Sequence, residues 1–306
     1  MGGETRTSQF SAVSFQLSNL SSSSRGNASA LVVGDGDARR LFLIDAGLSP
    51  RRTHALLAEV GLARVPIDGV LLTHLDNDHW HNGWLAAMPQ STTVHLHRSH
   101  RGRADRAGLT YLRTNLFNDD FEIAPGVVVK PVLNAHDDLG TAAFRIEYRP
   151  SDTTQPHSSL GFATDIGSPT RDLIQHLQGV DVLAVESNYC PRMQLASNRP
   201  QFLKDRIMGG AGHLSNQQSA KLVRDIAPQS HVLLLHLSLE CNTPDVALRA
   251  HDWTRDADAP ACTIANWDGP TPWIEIKPTS NPRPARQVPL PMPRSLWDLT
   301  NSLPNA

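Results

Sequence analysis

The sequence predicts an α/β sandwich, with mixed sheets covered by helices. Three observations lead to it. Short apolar runs of strand length recur along the chain, segments with helical spacing fall between them, and an order of strands followed by β/α alternation occurs twice. The 306 residues, 40% of them hydrophobic, suffice for one large domain with a sizeable core. We expect that domain over residues 1–277 and a Pro-rich tail over 278–306.

Leu31–Gly34 and Leu41–Asp45 read as short strands joined by a Gly/Asp/Arg turn. Arg51–Val60 has helical spacing, with Leu56, Leu57 and Val60 on one face. Gly69–Thr73 is a buried strand that runs into a His/Asp cluster, and a helix is expected over Trp80–Ala87. Further strands are predicted over 127–133, 144–148, 160–163, 182–185 and 232–235. Helices are predicted over 171–177, 216–226 and 244–253, the last with Pro244 at its start. From Pro278 to Pro293 there are six prolines, which predicts an extended segment.

Composition excludes several classes. A net charge of -2 provides no global field for a polyanion, so any such site must be local. No apolar run approaches membrane length, and a membrane partner is not expected. Cys190, Cys241 and Cys262 form no CxxC pair, and Met1–Leu20 has no basic-then-apolar pattern. Both point to a reducing, cytoplasmic setting. There is no GxSxG elbow, no phosphate-loop lysine motif and no GxGxxG after a strand.

The chemistry is concentrated in Leu71-Leu-Thr-His-Leu-Asp-Asn-Asp-His-Trp80, which sets His74, Asp76, Asp78 and His79 within six residues after a buried strand. The strand end fixes the backbone, and a tight loop then turns alternate side chains toward one point. His74 and Asp76 can face one ion, Asp78 and His79 a second. Imidazole and carboxylate suit Zn, Mn or Fe. The plainer reading, a polar loop with an Asx turn, does not account for four donors so closely spaced.

The cluster resembles the HxHxDH signature of the metallo-β-lactamase superfamily, with Asp76 where the second His usually stands and His81-Asn82-Gly83 in place of the usual Gly pair. A carboxylate at that position hardens the site and favours Mn over Zn. The resemblance continues in order through Asn27, Leu43-Ile-Asp-Ala-Gly47, Asn134-Ala-His136-Asp, Phe162-Ala-Thr-Asp165 and Leu234-Leu-His236-Leu-Ser238. It implies a four-layer αββα fold and two divalent metal ions. His74, Asp76 and His136 would hold one ion, Asp78, His79 and His236 the other, and Asp165 would bridge. His136, Asp165 and His236 each follow a predicted strand, where α/β sheets present their sites. Asp45 would brace the loop or hold a ligand histidine in one tautomer, or simply end a strand. The branch most similar is the small exonuclease-like and phosphodiesterase-like relatives of ribonuclease Z and ribonuclease J.

Two further features stand out. His213 lies in Gly209-Gly-Ala-Gly-His-Leu-Ser-Asn216, a Gly-rich run into a helix start that can hold an anion; Ser215 or Asn216 can equally cap that helix. His95–Arg106 carries four Arg and three His, a local basic patch able to steer a polyanion or merely to face solvent. The expected function is phosphodiester hydrolysis by a metal-bridging hydroxide, on nucleic acid or a smaller diester. Asp78 and His213 would be catalytic, His213 by protonating the leaving group. Hydrolysis of lactone, β-lactam or thioester substrates, and a non-catalytic metal-binding role, are the alternatives. The sequence leaves monomer and dimer both open.

Overall fold

The computed structural model describes residues 14–34, 38–134, 136, 138–150, 156–251 and 259–279. Two sheets of seven strands each follow the chain order. The first holds β1 (Phe15–Ser21), β2 (Ala28–Val33), β3 (Arg40–Ile44), β4 (Ile67–Leu72), β5 (Thr93–His97) and β6 (Thr114–Phe117), with the late strand β14 (Ile274–Glu275) beside β1. The second holds β7 (Phe121–Ala124), β8 (Val127–Asn134), β9 (Thr141–Tyr148), β10 (Ser158–Ala163), β11 (Val182–Glu186), β12 (His231–Leu235) and β13 (Ala261–Ile264). In each sheet the early strands pair antiparallel and the later ones parallel.

Alternation within strands explains the layers. In β4, Leu71 faces a core shared by both sheets, whereas Val70 and Leu72 face an outer cluster. In β12, Leu233 and Leu235 face the shared core, and Val232 and Leu234 face the opposite outer cluster. Strands covered on both faces read as continuous apolar runs, as β4, β11 and β12 do. Helices α1 (Pro50–Glu59), α4 (Arg171–Leu177) and α7 (Asn216–Ile226) bury Leu56 and Leu57, Leu173 and Leu177, and Leu222, Val223 and Ile226 against those outer faces. The result is the αββα sandwich that the sequence predicts.

Some local expectations change. The helix expected from Trp80 starts only at Trp84, as the one-turn α2 (Trp84–Ala87). The preceding backbone is held elsewhere: Trp80 pairs with Ala46 as an isolated bridge, and the His81 N–H donates to the Ala46 carbonyl at 2.9 Å. The helix after Pro244, α8 (Pro244–His251), is described only to His251. The basic patch divides into β5, a single 3-10 turn and α3 (Arg101–Arg106). Two helices not predicted, α5 (Pro191–Ala196) and α6 (Gln201–Met208), lie between β11 and α7. Pro278 and Thr279 start the tail, and Thr279 donates through its N–H and hydroxyl to Asp181 at 3.0 and 3.1 Å. The rest of the tail lies outside the described residues. Among the described residues, no helix is long and apolar enough to cross a membrane.

Two histidines of the basic patch, His95 and His100, are buried rather than solvated. His95 stacks on Phe121 with ring centroids 5.0 Å apart, and its Nδ1 accepts from Asn115 at 3.1 Å. Burial, with the nearby Arg113 charge, pushes its pKa down to about 4. The folded value therefore lies below the unfolded one of about 6.5. The stabilising contribution is complete above the unfolded value and is lost as pH falls toward about 4. At pH 5 the loss should be about 2 kcal/mol. Thermal unfolding of His95→Gln should accordingly depend less on pH between 7 and 5 than that of the parent protein; equal slopes would remove His95 as a source of acid sensitivity.

Candidate metal centre

The carboxyl ends of the parallel strands in both sheets converge on one place, as α/β sheets generally arrange. Asp45 follows β3, the loop from Thr73 to His79 follows β4, Asp165 follows β10, Glu186 ends β11 and His236 follows β12. Asp45, Asp165 and His236 all have positive φ, of 61°, 52° and 55°. Such backbone strain in residues other than glycine gathers at functional sites.

The β4 loop is held against its neighbours by backbone contacts. The Ala46 N–H donates to the His79 carbonyl at 2.8 Å and the Asn27 N–H to the Asp78 carbonyl at 2.7 Å. Gly47 lies so close that a Cβ there would overlap the Asp78 carbonyl. Gly47→Ala should therefore displace Asp78 and His79 and cost most of the bound metal and activity. Metal content after purification checks this; a fully loaded variant would show that the loop can yield.

Asp45, fully buried, orders the first ligand candidates. One of its oxygens accepts from the Thr73 N–H and hydroxyl, both at 2.9 Å, and the other from His79 Nδ1–H at 2.7 Å. Thr73 Oγ1 in turn accepts from His74 Nδ1–H at 3.0 Å. His136 Nδ1–H donates to the Gly212 carbonyl at 3.1 Å. In each ring Nδ1 is anchored, which leaves Nε2 as the ligating atom, the usual arrangement of metal-binding histidine. His79 Nε2 lies 2.9 Å from Asp165 Oδ2 and 3.6 Å from Asp78 Oδ2. His236 Nε2 lies 3.2 Å from Asp78 Oδ2.

The structure thus brings together six of the predicted metal residues in two compact groups, each with donor atoms within 4.8 Å of one another: His74, His136 and Asp165, and Asp78, His79 and His236; a third group just as close joins Asp165 and His236 to Glu186 and His213. Asp76 stands at the rim. Its Oδ2 is 3.7 Å from His74 Nε2, and its Oδ1 accepts from Arg103 Nη1 at 2.6 Å. The His74 imidazole and the Arg103 guanidinium hold its carboxyl well below the usual range.

Charge favours a cation here. Burial opposes ionisation of Asp165, yet His236, His79 and His213 around it hold its carboxyl well below the usual value. Burial likewise lowers the pKa of His79, but Asp165, Asp45 and Asp78 outweigh it and raise the imidazole well above its ordinary value. Buried carboxylates converging on imidazoles require positive charge among them. The residues present therefore fit divalent metal.

His213 is arranged differently. Its Nδ1 faces carboxylates, 3.2 Å from Glu186 Oε2 and 3.3 Å from Asp165 Oδ1. Burial lowers its pKa, but Glu186, Asp165 and Asp78 raise it to about 9. Glu186 is fully buried and its other oxygen accepts from the backbone N–H groups of Ile166 and Leu214 at 2.6 and 3.2 Å. The Gly-rich run does not form an open anion site at a helix start. Ser215 and Gln218 close a capping box on α7, and Gly212 packs against the carbonyls of Arg206 and Ile207.

Sequence reasoning missed Glu186, Asn188 and the part played by Arg103. Asn188 donates to the His236 carbonyl at 2.9 Å and contacts His236 Nδ1 at 3.0 Å. Glu186-Ser-Asn188 directly follows the apolar run of β11, the same pattern that marks Asp45 and Asp165, and that pattern could have found both. Asn27, noted only for its resemblance, reaches Asp78 and His79 through its amide at 3.2–3.4 Å.

Two clefts open onto the centre. One, of about 410 Å³, includes Asp78, Asp165, His213, His236, Arg199 and Arg206 in its wall. The other, of about 370 Å³, includes His74, His100, Arg103 and Arg206. Asp76 and His136 line both.

Residues 40–237 match the family described as the beta-lactamase superfamily domain. The chain belongs to that superfamily. This superfamily hydrolase is similar to the exodeoxyribonuclease YycJ of Bacillus anthracis, 26% identical over 242 residues, 76% of this chain and 85% of the relative. It is similar too to the exodeoxyribonuclease WalJ of Streptococcus pneumoniae serotype 2, 25% identical over 251 residues, 78% of this chain and 87% of the relative. Among solved structures, zinc-bound PqqB from Methylobacterium extorquens shares the fold with a TM-score of 0.59 at 16% identity, covering 84% of this chain and 99% of that one. A diphosphatase of the PhnP family shares it with a TM-score of 0.57 at 14% identity, covering 87% and 100%.

Proposed function

We propose that this superfamily hydrolase cleaves phosphodiester bonds, with DNA as its substrate class. The observation that carries the reading is the buried His/Asp cluster set between clefts whose walls hold Arg103, Arg199 and Arg206. Guanidinium groups suit phosphate, which they can grip in a planar, two-pronged manner. A lactone or thioester offers them no charge. The exodeoxyribonuclease relatives support DNA, degraded from its ends.

In this reading His74, His136 and Asp165 hold one divalent ion, Asp78, His79 and His236 the second, and Asp165 lies between. When bound, the ions supply an activated water and neutralise phosphate charge. The chain itself does the positioning. Asp45 and Thr73 fix the rings of His79 and His74. Arg103, braced by Asp76, and Arg206 hold non-bridging oxygens or the neighbouring phosphate. His213, backed by Glu186, gives a proton to the departing alkoxide.

Metal-stripped protein reloaded separately with Mn and Zn should hydrolyse bis-p-nitrophenyl phosphate. Full metal occupancy without hydrolysis, together with turnover of a lactone or thioester, would move the activity to carbon substrates. Full occupancy without turnover of any of these would leave a metal-binding protein without catalysis.

A further inference from the structure

Helix α6 lies between the two clefts. Leu203, Arg206 and Ile207, at spacings of three and four residues, line the larger cleft, and Arg206 also lines the smaller. Phe202 stands one turn before Arg206 on the adjoining face, since residues four apart on a helix are neighbours. Yet Phe202 is 73% exposed. Leu195, on the neighbouring α5, is 59% exposed. The neighbour of Phe202, Leu203, and the residue one turn on, Arg206, are in the cleft wall, so the exposed ring stands next to an arginine-bearing cleft with its face available to a ligand.

We propose that Phe202 is a stacking platform for a nucleobase of single-stranded DNA, beside a backbone phosphate held by Arg206. The inference rests on the phosphodiesterase reading above and narrows it to a polynucleotide that is unpaired at the site. Three features favour a nucleobase as the occupant. Phe202 adjoins the cleft wall through Leu203 and Arg206 of its own helix. The guanidinium groups beside it suit a phosphate chain: Arg206 lines both clefts, Arg103 is paired with Asp76 and Arg199 with Glu240, and a phosphate can share or displace those carboxylates. A single exposed ring beside a phosphate-binding group matches the combination by which single strands are held, aromatic faces for bases and a basic groove for the backbone. A base inside a duplex has both faces stacked on its neighbours and none to offer.

Phe202→Ala should raise KM for a single-stranded oligonucleotide about tenfold, as loss of one base stack does. It should leave kcat and the hydrolysis of bis-p-nitrophenyl phosphate, which carries no base, as in the parent. Phe202→Trp should restore the oligonucleotide KM, because the indole also stacks. Binding is read independently with a thymidine oligomer carrying one 2-aminopurine, in EDTA so that nothing is cleaved. Its fluorescence should be quenched by the parent and by Phe202→Trp but not by Phe202→Ala. An unchanged KM and undiminished quenching in Phe202→Ala would overturn the proposal. So would a parent dimer that Phe202→Ala converts to monomer in sedimentation with KM unchanged, since the ring would then cover a second copy. Failure of the parent to cleave bis-p-nitrophenyl phosphate would count against the underlying activity, not against stacking, which the fluorescence reads alone.

Discussion

Asp165→Asn should lower phosphodiester hydrolysis about a thousandfold or more and release metal, while the protein stays folded. Asp165 lies at the meeting point of the centre: one oxygen is 2.9 Å from His79, the other 3.3 Å from His213 and 3.7 Å from His236. Asparagine keeps the shape but replaces a negative oxygen with a neutral amide, which would be a far weaker partner for the two proposed cations. Metal stabilisation of the attacking and leaving oxygens contributes several kcal/mol, and each 1.4 kcal/mol is about tenfold in rate. The measurements are kcat on bis-p-nitrophenyl phosphate, metal content by mass spectrometry and far-ultraviolet circular dichroism. Full metal and an unchanged rate would sink the bridging role.

His213→Ala should behave differently. Its metal content should hold, because the ring presents Nδ1 to Glu186 and Asp165 and takes no part in the two compact ligand groups proposed here. Loss of a positioned proton donor typically costs about 10²–10⁴ in rate. The loss should fall on DNA, whose sugar alkoxide must be protonated as it leaves. It should be much smaller on bis-p-nitrophenyl phosphate, whose phenolate leaves without a proton. Equal losses on both substrates, accompanied by lost metal, would make His213 a ligand instead. The contrast between leaving groups separates the two roles without reference to any pH profile.

The parts legible in the sequence were those where the chemistry needs particular residues close together. His74 to His79 occupy one loop after one strand, and His136, Asp165 and His236 each follow apolar runs that are covered on at least one face. What was not legible depended on long-range contacts or on polar residues that are buried. Strand β1 reads as Phe-Gln-Leu-Ser-Asn-Leu-Ser, too polar for a core strand. The fold buries it because Ser18 donates to the Thr271 carbonyl at 2.8 Å and Ser21 to the Trp267 carbonyl at 3.0 Å. Arg103 lies 27 residues from Asp76, and nothing in the basic patch singles it out from its three arginine neighbours. Only the fold shows that α3 brings that one guanidinium to the centre. Helix α6 is short and weakly patterned, and its importance lies in where it ends up, with Leu203, Arg206 and Ile207 in a cleft wall.

The left-handed backbone at Asp45, Asp165 and His236 has a consequence for how the protein can change over time. Each such residue costs on the order of 1 kcal/mol relative to an unstrained conformation. Three together are a noticeable fraction of the roughly 5–15 kcal/mol by which a folded domain exceeds its unfolded state. Selection for thermal robustness alone would drift these positions toward glycine, which adopts the same angles without strain. Only continued demand for the chemistry keeps two carboxylates and an imidazole there. Lineages of this fold that lose their substrate should therefore shed these three side chains early, becoming sturdier as they fall silent.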